Sequence, residues 1–213
     1  MSSYNSPSVE TLAGMFPGTI AIVGKGPSLL ALRSEHLEDL SAVITLNHAI
    51  LKVRVTEHRA TTLMMWKDAP AYLKDMPVMC PPNSLGCLHQ IIEPVEPEIL
   101  LLHEYESGNC LPAYSQRYIF NNPRFGLNWY QESVFSAICI ARMLGASRLR
   151  LISFDAATNG DCRNTMDGVS ISGKENYLHQ RDGINRVLRK LCLPATWVTP
   201  HPASTTPALK GEA

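Results

Sequence analysis

Short, continuous runs of apolar residues alternate along the chain with segments of helical periodicity. The runs are rich in β-branched residues and are bounded by glycines or polar residues, which is typical of strands buried on both faces of a parallel sheet. They lie at residues 19–23, 42–46, 61–65, 148–153 and 196–198, with shorter candidates at residue 78 and residues 99–102. The pattern therefore predicts a series of strands joined by helical or irregular connections.

The helical segments are recognised by apolar residues three and four positions apart. Behind the first strand, Ser28 is a candidate N-cap for a helix that places four leucines on one face, namely Leu29, Leu30, Leu32 and Leu37. A second helix is predicted from Glu132 to Gly145, where the glycine acts as a C-terminal cap. A third helix is predicted at about residues 177–191, before the last strand.

Alternation of strands and helices implies right-handed crossover connections. The sequence therefore predicts an α/β fold with a doubly wound, mostly parallel, Rossmann-like sheet and helices on both of its faces. A length of 213 residues suits one domain, which we assign to residues 15–199. The polar N-terminus, residues 1–14, and the tail, residues 200–213, are expected to be disordered.

Composition narrows the range of partners and locations. Lys plus Arg and Asp plus Glu both number 19, so the chain lacks the overall basic charge of most nucleic-acid binders, although a local basic face remains open. The six cysteines form no CxxC pair, which favours free thiols in a reducing cytoplasm over a zinc site or a disulfide framework. The most apolar helical stretch is far shorter than the roughly 20 residues that span a bilayer. We expect a cytoplasmic protein without membrane insertion, and its oligomeric state stays open.

The predicted sheet indicates where a ligand would bind. In an open parallel sheet, ligands collect beyond the carboxyl ends of the strands, near the point where the strand order reverses. This rule selects the turn after the first strand, Gly24-Lys25-Gly26-Pro27-Ser28-Leu29. It also selects polar or aromatic residues that follow later strands, namely Asn47, Trp66, Asp68 and Asp155.

The glycine turn has two interpretations. Without side chains at Gly24 and Gly26, backbone N–H groups can approach an anion or a ribosyl group, towards which the following helix directs its positive end. The turn is neither a dinucleotide fingerprint, since Leu29 replaces the last glycine, nor a P-loop, since no Gly-Lys-Ser/Thr follows. The competing interpretation is a tight strand-to-helix turn that needs glycine for its backbone angles. Asp155 is a candidate acceptor for ribose hydroxyls or for loop N–H groups.

Several segments together resemble a known group of enzymes. Gly-x-Gly-Pro-Ser-Leu after a first strand resembles the opening motif of the single-domain bacterial sialyltransferases and of a wider Rossmann-like family that includes a pterin pyrophosphokinase. Thr45-Leu46-Asn47-His48 resembles their strand-end asparagine, which contacts the nucleotide. Ser133, the stripe to Gly145, the next strand and Phe154-Asp155 are similar to their serine-helix-glycine-strand-Asp-Phe region, with aspartate and aromatic in swapped order. Tyr177-Leu178-His179 resembles the helix start that carries their general-base histidine. These segments cover about half the chain.

The resemblance implies a glycosyltransferase that moves a sugar from a nucleotide donor to an acceptor hydroxyl. A cytidine nucleotide sugar is the favoured donor, the acceptor is a glycan or a nucleic acid, and no cofactor is bound permanently. His179 would take the proton of the acceptor, because the pKa of histidine lies near working pH. The residues assigned to the nucleotide are Gly24, Lys25, Gly26, Pro27, Ser28, Asn47, Ser133 and Asp155.

The sequence also departs from the pattern of that family. Lys25 stands where the family has asparagine, and its ammonium group can reach a phosphate as a point charge. The two tyrosines that the family places on the departing phosphate are missing after Asp155, and Tyr130 falls where the family has an arginine. The candidates for phosphate or acceptor contacts are Arg163, Tyr177, Trp66 and Asp68.

Two other functions remain open from the sequence. No HExxH motif, His/Cys cluster or Asp-x-Asp pair is present, which favours chemistry without a metal. A pyrophosphokinase-like phosphotransferase would instead need magnesium on the carboxylates of Asp68 and Asp155. A non-catalytic nucleotide-binding protein would use the polar loop at residues 156–174 to close over its ligand.

Overall fold

Seven strands form the framework of the protein. The computed structural model describes residues 6–46, 49–66, 98–103, 116–127, 133–155, 158 and 174–201. Within these ranges the strands are β1 (Gly18–Val23), β2 (Ala42–Leu46), β3 (Thr61–Trp66), β4 (Ile99–His103), β5 (Arg117–Phe120), β6 (Ala146–Ile152) and β7 (Ala195–Val198). Their order in the sheet is β5-β4-β3-β2-β1-β6-β7, and every neighbouring pair is parallel. The predicted Rossmann-like α/β fold is confirmed.

Helices connect these strands on both faces of the sheet. The α-helices in the described ranges are α1 (Ile50–Arg54), α2 (Ser133–Leu144) and α3 (Lys174–Lys190). Four 3-10 helices accompany them, at Val9–Leu12, Pro27–Ala31, Ser34–Leu37 and Asn122–Phe125. None of the helices in these ranges is long and apolar enough to cross a membrane.

Two hydrophobic cores explain why the strands are apolar throughout. Side chains of a strand alternate between the faces of the sheet, so Ile20 and Ile22 of β1 pack with α2 and α3, whereas Ala21 and Val23 pack on the opposite face. We call the core on the side of α2 and α3 the first core, and the core on the opposite face of the sheet the second core. Leu149 and Leu151 of β6 lie in the first core, and Ile152 lies in the second core. Neither face of the central strands meets water, which is why no polar alternation marks them in the sequence.

The strand order reverses between β1 and β6. From β1 the chain builds the sheet in one direction through β2, β3, β4 and β5, and then returns to place β6 on the other side of β1. A crevice opens at such a reversal, because the connections leaving the two neighbouring strands turn to opposite faces. The connection after β1 runs through the second core and the one after β6 runs through the first, so the carboxyl ends of β1 and β6 border the switch point.

The segment after β1 differs from its prediction. One amphipathic α-helix was expected there, with Ser28 as N-cap, but the chain forms two 3-10 helices, and Gly26 occupies the N-cap position of the first. The second 3-10 helix begins at Ser34, and the backbone N–H of its N-cap residue, Arg33, donates to Nδ1 of His36. This change of periodicity buries Leu29 and leaves Leu30 69% exposed. The N-cap assignment of Ser28 was wrong, because its hydroxyl is bound elsewhere.

Two further segments differ from expectation. Within the N-terminal segment predicted to be disordered, Val9 and Leu12 are buried in the first core, on a 3-10 helix. β5 was not predicted, since its residues, Arg117–Phe120, carry no continuous apolar run. The C-terminal cap of α2 has the expected chemistry, because Gly145 adopts a φ of +109° and a Cβ there would approach the backbone of Gly14 to 3.4 Å.

Candidate functional site

The glycine turn lies directly against the loop that follows β6. The backbone N–H of Gly24 donates to the carbonyl of Ile152, with N and O 2.8 Å apart, and that of Gly26 donates to the carbonyl of Ser153 at 2.9 Å. Both loops leave neighbouring strands at the point where the strand order reverses. We call residues 24–28 together with residues 153–155 the β1–β6 junction.

A buried carboxylate ties the two halves of this junction together. The backbone N–H and the hydroxyl of Ser28 both donate to Oδ2 of Asp155, each at 2.9 Å. Asp155 is only 2% exposed, and hydrogen bonds to an ionised acceptor are among the stronger ones in proteins. The structure therefore brings together Gly24, Gly26, Ser28 and Asp155, and it assigns Asp155 the predicted role of acceptor for a loop N–H group.

The glycines are required for close packing of protein on protein. A Cβ on Gly26 would lie 1.9 Å from Oδ2 of Asp155 and 2.7 Å from the carbonyl oxygen of Ser153, and a Cβ on Gly24 would lie 2.7 Å from the same oxygen. Backbone oxygen cannot withdraw as the end of a flexible side chain can. Glycine at these two positions lets the turn approach the β6 loop.

This packing corrects the expectation that the amides of the turn are open to an anion. The N–H groups of Gly24, Gly26 and Ser28 already donate to acceptors within the protein, and the N–H of Leu29 donates to the carbonyl of Gly26. The carboxylate of Asp155 takes the position that a bound anion would occupy. A phosphate placed beside that carboxylate would be repelled, so an uncharged polar group suits the junction better.

Ser153 is the unexpected residue of the junction. Its φ is +59°, in the left-handed region that favours glycine, and it is 1% exposed. Its carbonyl accepts the bond from Gly26, but its Oγ has no hydrogen-bond partner among the described residues. No sequence pattern signals this conformation, because a serine after a strand is ordinary. Non-glycine residues in this region cost free energy and cluster at functional sites.

Aromatic contacts extend from the junction to α3. The ring of Phe154 lies 3.3 Å from the position that a Cβ on Gly24 would take, and it meets Trp197 edge-on, with ring centroids 6.4 Å apart. The guanidinium carbon of Arg181 lies 5.6 Å from the centroid of the Trp197 ring, a cation–π distance. The first half of α3 is thereby held beside the junction.

Both α2 and α3 begin at the carboxyl edge of the sheet. The helix α2 leads into the amino end of β6, and α3 leads into the amino end of β7, so each helix must start at the opposite edge. The two helices touch at Phe135 and Gly183, where a Cβ on the glycine would lie 2.8 Å from the Phe135 ring. The backbones of Ser133 and His179 lie about 3 Å and 6 Å beyond this contact, at a rise of about 1.5 Å per residue. Both therefore lie towards the carboxyl edge, as the predicted site requires.

Buried polar residues also lie along the same edge farther from the junction. Oγ of Ser136, in the first turn of α2, donates to Oδ1 of Asn122 at 2.6 Å, and both residues are fully buried. His103, at the end of β4, is 4% exposed and meets Phe120 edge-on at 5.3 Å between ring centroids. The sequence analysis did not select Asn122, Ser136 or His103, and only the rule that ligands bind beyond the strand ends points to His103.

Several predicted site residues lie outside the described part of the chain or are described only by their backbone. Asn47, Asp68 and Arg163 lie outside the described residues. Trp66 ends β3, and Tyr177 and His179 lie within α3, but only their backbone positions are described. Lys25 and Pro27 belong to the junction, and Ser133 is the half-buried first residue of α2.

Other features of the described residues lie away from this edge. Burial raises the pKa of the Cys139 thiol to about 11 despite the opposing charge of Lys190, so this thiol is protonated at neutral pH and a poor nucleophile. A shallow surface cavity of about 370 Å³, largely open to solvent, lies between the end of α3 and the start of β7, at the amino edge. Across the described ranges, no three His, Cys, Asp or Glu side chains group as metal ligands.

Comparison with protein-family models, curated proteins and solved structures gave no match to this chain. The assignment of function therefore depends on the chemistry of the β1–β6 junction and on the sequence motifs that lead to it.

Proposed function

We propose that the protein is a glycosyltransferase that transfers a sugar from a nucleotide donor to an acceptor hydroxyl. The observation that carries the proposal is the position of the β1–β6 junction. Four residues selected from the sequence as nucleotide contacts meet there, at the switch point of a parallel sheet. A cytidine nucleotide sugar is the donor that the motif resemblance favours, and a glycan is the favoured acceptor. The buried thiol of Cys139 suits a cytoplasmic setting.

The electrostatics of the junction favour one orientation of the donor. The uncharged nucleoside faces Asp155, since Oδ1 of that carboxylate remains an acceptor for ribose hydroxyls. The phosphate lies farther out, near the start of α2 at Ser133, where the partial positive charge of a helix N-terminus attracts anions. Lys25 of the glycine turn is the residue that the sequence offers as a point charge for this phosphate.

The transfer then requires a base and a leaving group. His179 takes the proton of the acceptor hydroxyl while the oxygen of that hydroxyl bonds to the anomeric carbon of the donor sugar. The bond between that carbon and the phosphate oxygen breaks, and the nucleotide leaves with the electron pair. A positioned general base typically contributes a factor of about 10² to 10⁴ to the rate.

A magnesium-dependent phosphotransferase would use Asp68 and Asp155 as metal ligands. Oδ2 of Asp155 accepts two hydrogen bonds from Ser28, which leaves Oδ1 as the oxygen for a metal. Activity that survives EDTA would count against this reaction. A non-catalytic binding protein would share the same crevice, so product analysis must separate it from the enzyme.

Two measurements test the proposal. In a thermal-shift screen of CMP, UMP, GMP and AMP, one nucleotide should raise Tm, because a ligand bound only by the native state stabilises it. His179→Ala should then abolish sugar transfer and leave the nucleotide-induced shift nearly unchanged, with His36→Ala as the control. Mass spectrometry of the donor and a panel of glycan acceptors gives the readout. Equal transfer by wild type and His179→Ala would refute the assignment of the base.

A further inference from the structure

Ser153 has a strained backbone conformation that is unusual for a serine at a buried position. Three described residues other than glycine have positive φ, namely Asp39, Ser153 and Cys192. Asp39 and Cys192 are exposed, where a left-handed residue serves a surface turn, whereas Ser153 is buried at the carboxyl end of β6. Glycine would adopt the same conformation without a steric penalty, so the serine is kept at a cost in stability.

The hydroxyl of Ser153 adds a second cost. Its Oγ is buried and has no hydrogen-bond partner among the residues that the structure describes. A buried hydroxyl without a partner destabilises the folded state, whereas alanine of nearly the same size would not. Both costs fall on one side chain, and both would disappear on replacement by glycine.

The surroundings of Ser153 indicate what kind of group would pair with this hydroxyl. Asp155 is two residues away, and the carbonyl of Ser153 holds Gly26 of the turn that Asp155 also binds. Next to a buried carboxylate, an anionic ligand group is repelled, whereas a hydroxyl or an amino group can donate to the carboxylate and also meet the serine. The junction therefore suits the sugar or the base of a nucleoside, not its phosphate.

We infer that Ser153 is a specificity-determining residue, whose hydroxyl pairs with an uncharged hydroxyl or amino group of the nucleoside part of the ligand. The inference rests on the proposed function, since it concerns the same site. It adds a contact at a position that the sequence motifs did not select, and it fixes which end of the ligand enters the junction. Binding of the ligand supplies the hydrogen bond that the described residues do not provide.

The test uses the full chain and three variants. Ser153→Ala removes the hydroxyl and keeps the backbone conformation, Ser153→Gly removes both the hydroxyl and the strain, and Cys192→Gly relieves a left-handed residue at the opposite edge of the sheet. Tm is measured for each without ligand. Affinity is measured by calorimetry with whichever of CMP, UMP, GMP and AMP stabilises the wild type most.

The inference predicts effects of opposite sign on stability and on binding. Without ligand, Ser153→Gly should raise Tm by about 1–4 °C, and Ser153→Ala should not lower it. Both should raise the Kd of the nucleotide about 3- to 10-fold, the size expected for one neutral hydrogen bond. Cys192→Gly should raise Tm similarly and leave Kd unchanged.

Analogues of the nucleotide identify the group that Ser153 meets. If it is a ribose hydroxyl, the 2′-deoxy or 3′-deoxy nucleotide should bind wild type more weakly, and the difference between the two variants and wild type should vanish with that analogue. If it is an amino group of the base, the same loss should appear with the nucleotide whose base lacks that group. Either result supports the inference and names the contact.

The outcomes separate this inference from the proposed function. If no nucleotide stabilises the wild type, the proposed function fails and the role of Ser153 fails with it. If the wild type binds a nucleotide and both Ser153 variants bind it equally well, the site stands and the role of Ser153 is refuted. A lower Tm for Ser153→Ala with unchanged affinity would likewise show a purely structural role.

Discussion

Two residues with the same left-handed backbone occupy opposite edges of the sheet and have different surroundings. At the amino edge, Cys192 follows α3 and is exposed, and the helix end is closed by local bonds from its N–H to Arg189 and from the N–H of Leu193 to Leu188. At the carboxyl edge, Ser153 is buried between two strand ends, where it accepts a bond from Gly26. The first is a helix cap of the Schellman type, and the second is part of a junction between two loops.

The two positions differ in the interactions that surround the left-handed residue. The cap at Cys192 depends on backbone bonds alone, so its side chain can change without consequence for neighbouring elements. The β1–β6 junction depends on glycines that admit no Cβ and on a buried carboxylate, and it contains a hydroxyl that has no partner among the described residues. Substitutions that disrupt the close packing or the hydrogen bonds of the carboxyl edge should therefore cost more stability than matched substitutions elsewhere.

Gly26→Ala should give the largest effect. Its Cβ would overlap both the carboxylate of Asp155 and the backbone oxygen of Ser153, so the loops must separate. We expect a loss of at least about 3 kcal/mol in the free energy of unfolding and a fall in Tm of at least about 6 °C. Urea denaturation of purified protein measures the first quantity and a thermal scan the second.

Gly126→Ala is the matched control for that substitution. Gly126 has a φ of +68°, but no atom lies within 4 Å of its added Cβ. The cost should be only the backbone penalty, about 0.5–1 kcal/mol after allowance for the greater freedom of glycine in the unfolded chain. If the two alanine variants were equally destabilised, the close packing of the junction would not be the reason for glycine at position 26.

Removal of the carboxylate should have the next largest effect. Asp155→Ala deletes the acceptor of two hydrogen bonds from Ser28, and we expect a loss of about 2–3 kcal/mol. Ser28→Ala deletes only the hydroxyl bond and should cost about 1 kcal/mol. Because the residues interact, the double variant should lose less than the sum of the single losses. If the losses of the two single variants added up to the loss of the double variant, Ser28 and Asp155 would not interact.

A buried serine at the carboxyl edge should matter more than an exposed one at the amino edge. Ser136→Ala removes the bond to the buried Oδ1 of Asn122 and should cost about 1–2 kcal/mol. Ser147 is exposed and bonds to the carbonyl of Gly18, so Ser147→Ala should change stability by less than about 0.5 kcal/mol. Chemical denaturation of both variants checks the ranking, which a larger effect at Ser147 would reverse.

At the amino edge, one substitution should give a small gain in stability. Cys192→Gly relieves a φ of +50° and should add about 0.5–1 kcal/mol, after allowance for the greater freedom of glycine in the unfolded chain. Thermal and urea denaturation under reducing conditions measure it. A destabilised variant would show that the side chain of Cys192 contributes packing that outweighs the strain.

Sequence periodicity predicted the central strands well because their burial has a clear signature. The apolar runs of β1, β2 and β6 coincide with strands that contribute to both cores, and the run of β3 coincides with a strand whose residues 62–65 are all buried. β5 escaped prediction because it lies at the edge of the sheet, where Arg117 and Tyr118 are only half-buried. At an edge, the apolar signal is weaker, and only the pairing with a neighbour defines the strand.

The site was predicted in its parts but not in its internal bonding. The strand-end rule selected the glycine turn and Asp155, which the structure brings into contact. It did not foresee that the amides of the turn bind the protein itself, because a glycine-rich turn looks the same whether it faces a ligand or another loop. The left-handed conformation of Ser153 could not be predicted either, since no local sequence pattern marks it and its bond with Gly26 joins residues that are distant in sequence.

The central claim is that a nucleotide binds at the β1–β6 junction, and a nucleotide titration followed by methyl NMR tests it most directly. Val23 and Ile152 report on the carboxyl edge beside the junction, whereas Leu188 and Leu193 line the cavity at the amino edge. We expect the methyl signals of Val23 and Ile152 to shift and saturate while those of Leu188 and Leu193 stay in place. Shifts confined to Leu188 and Leu193, or no shifts with any of the four nucleoside monophosphates, would contradict the claim.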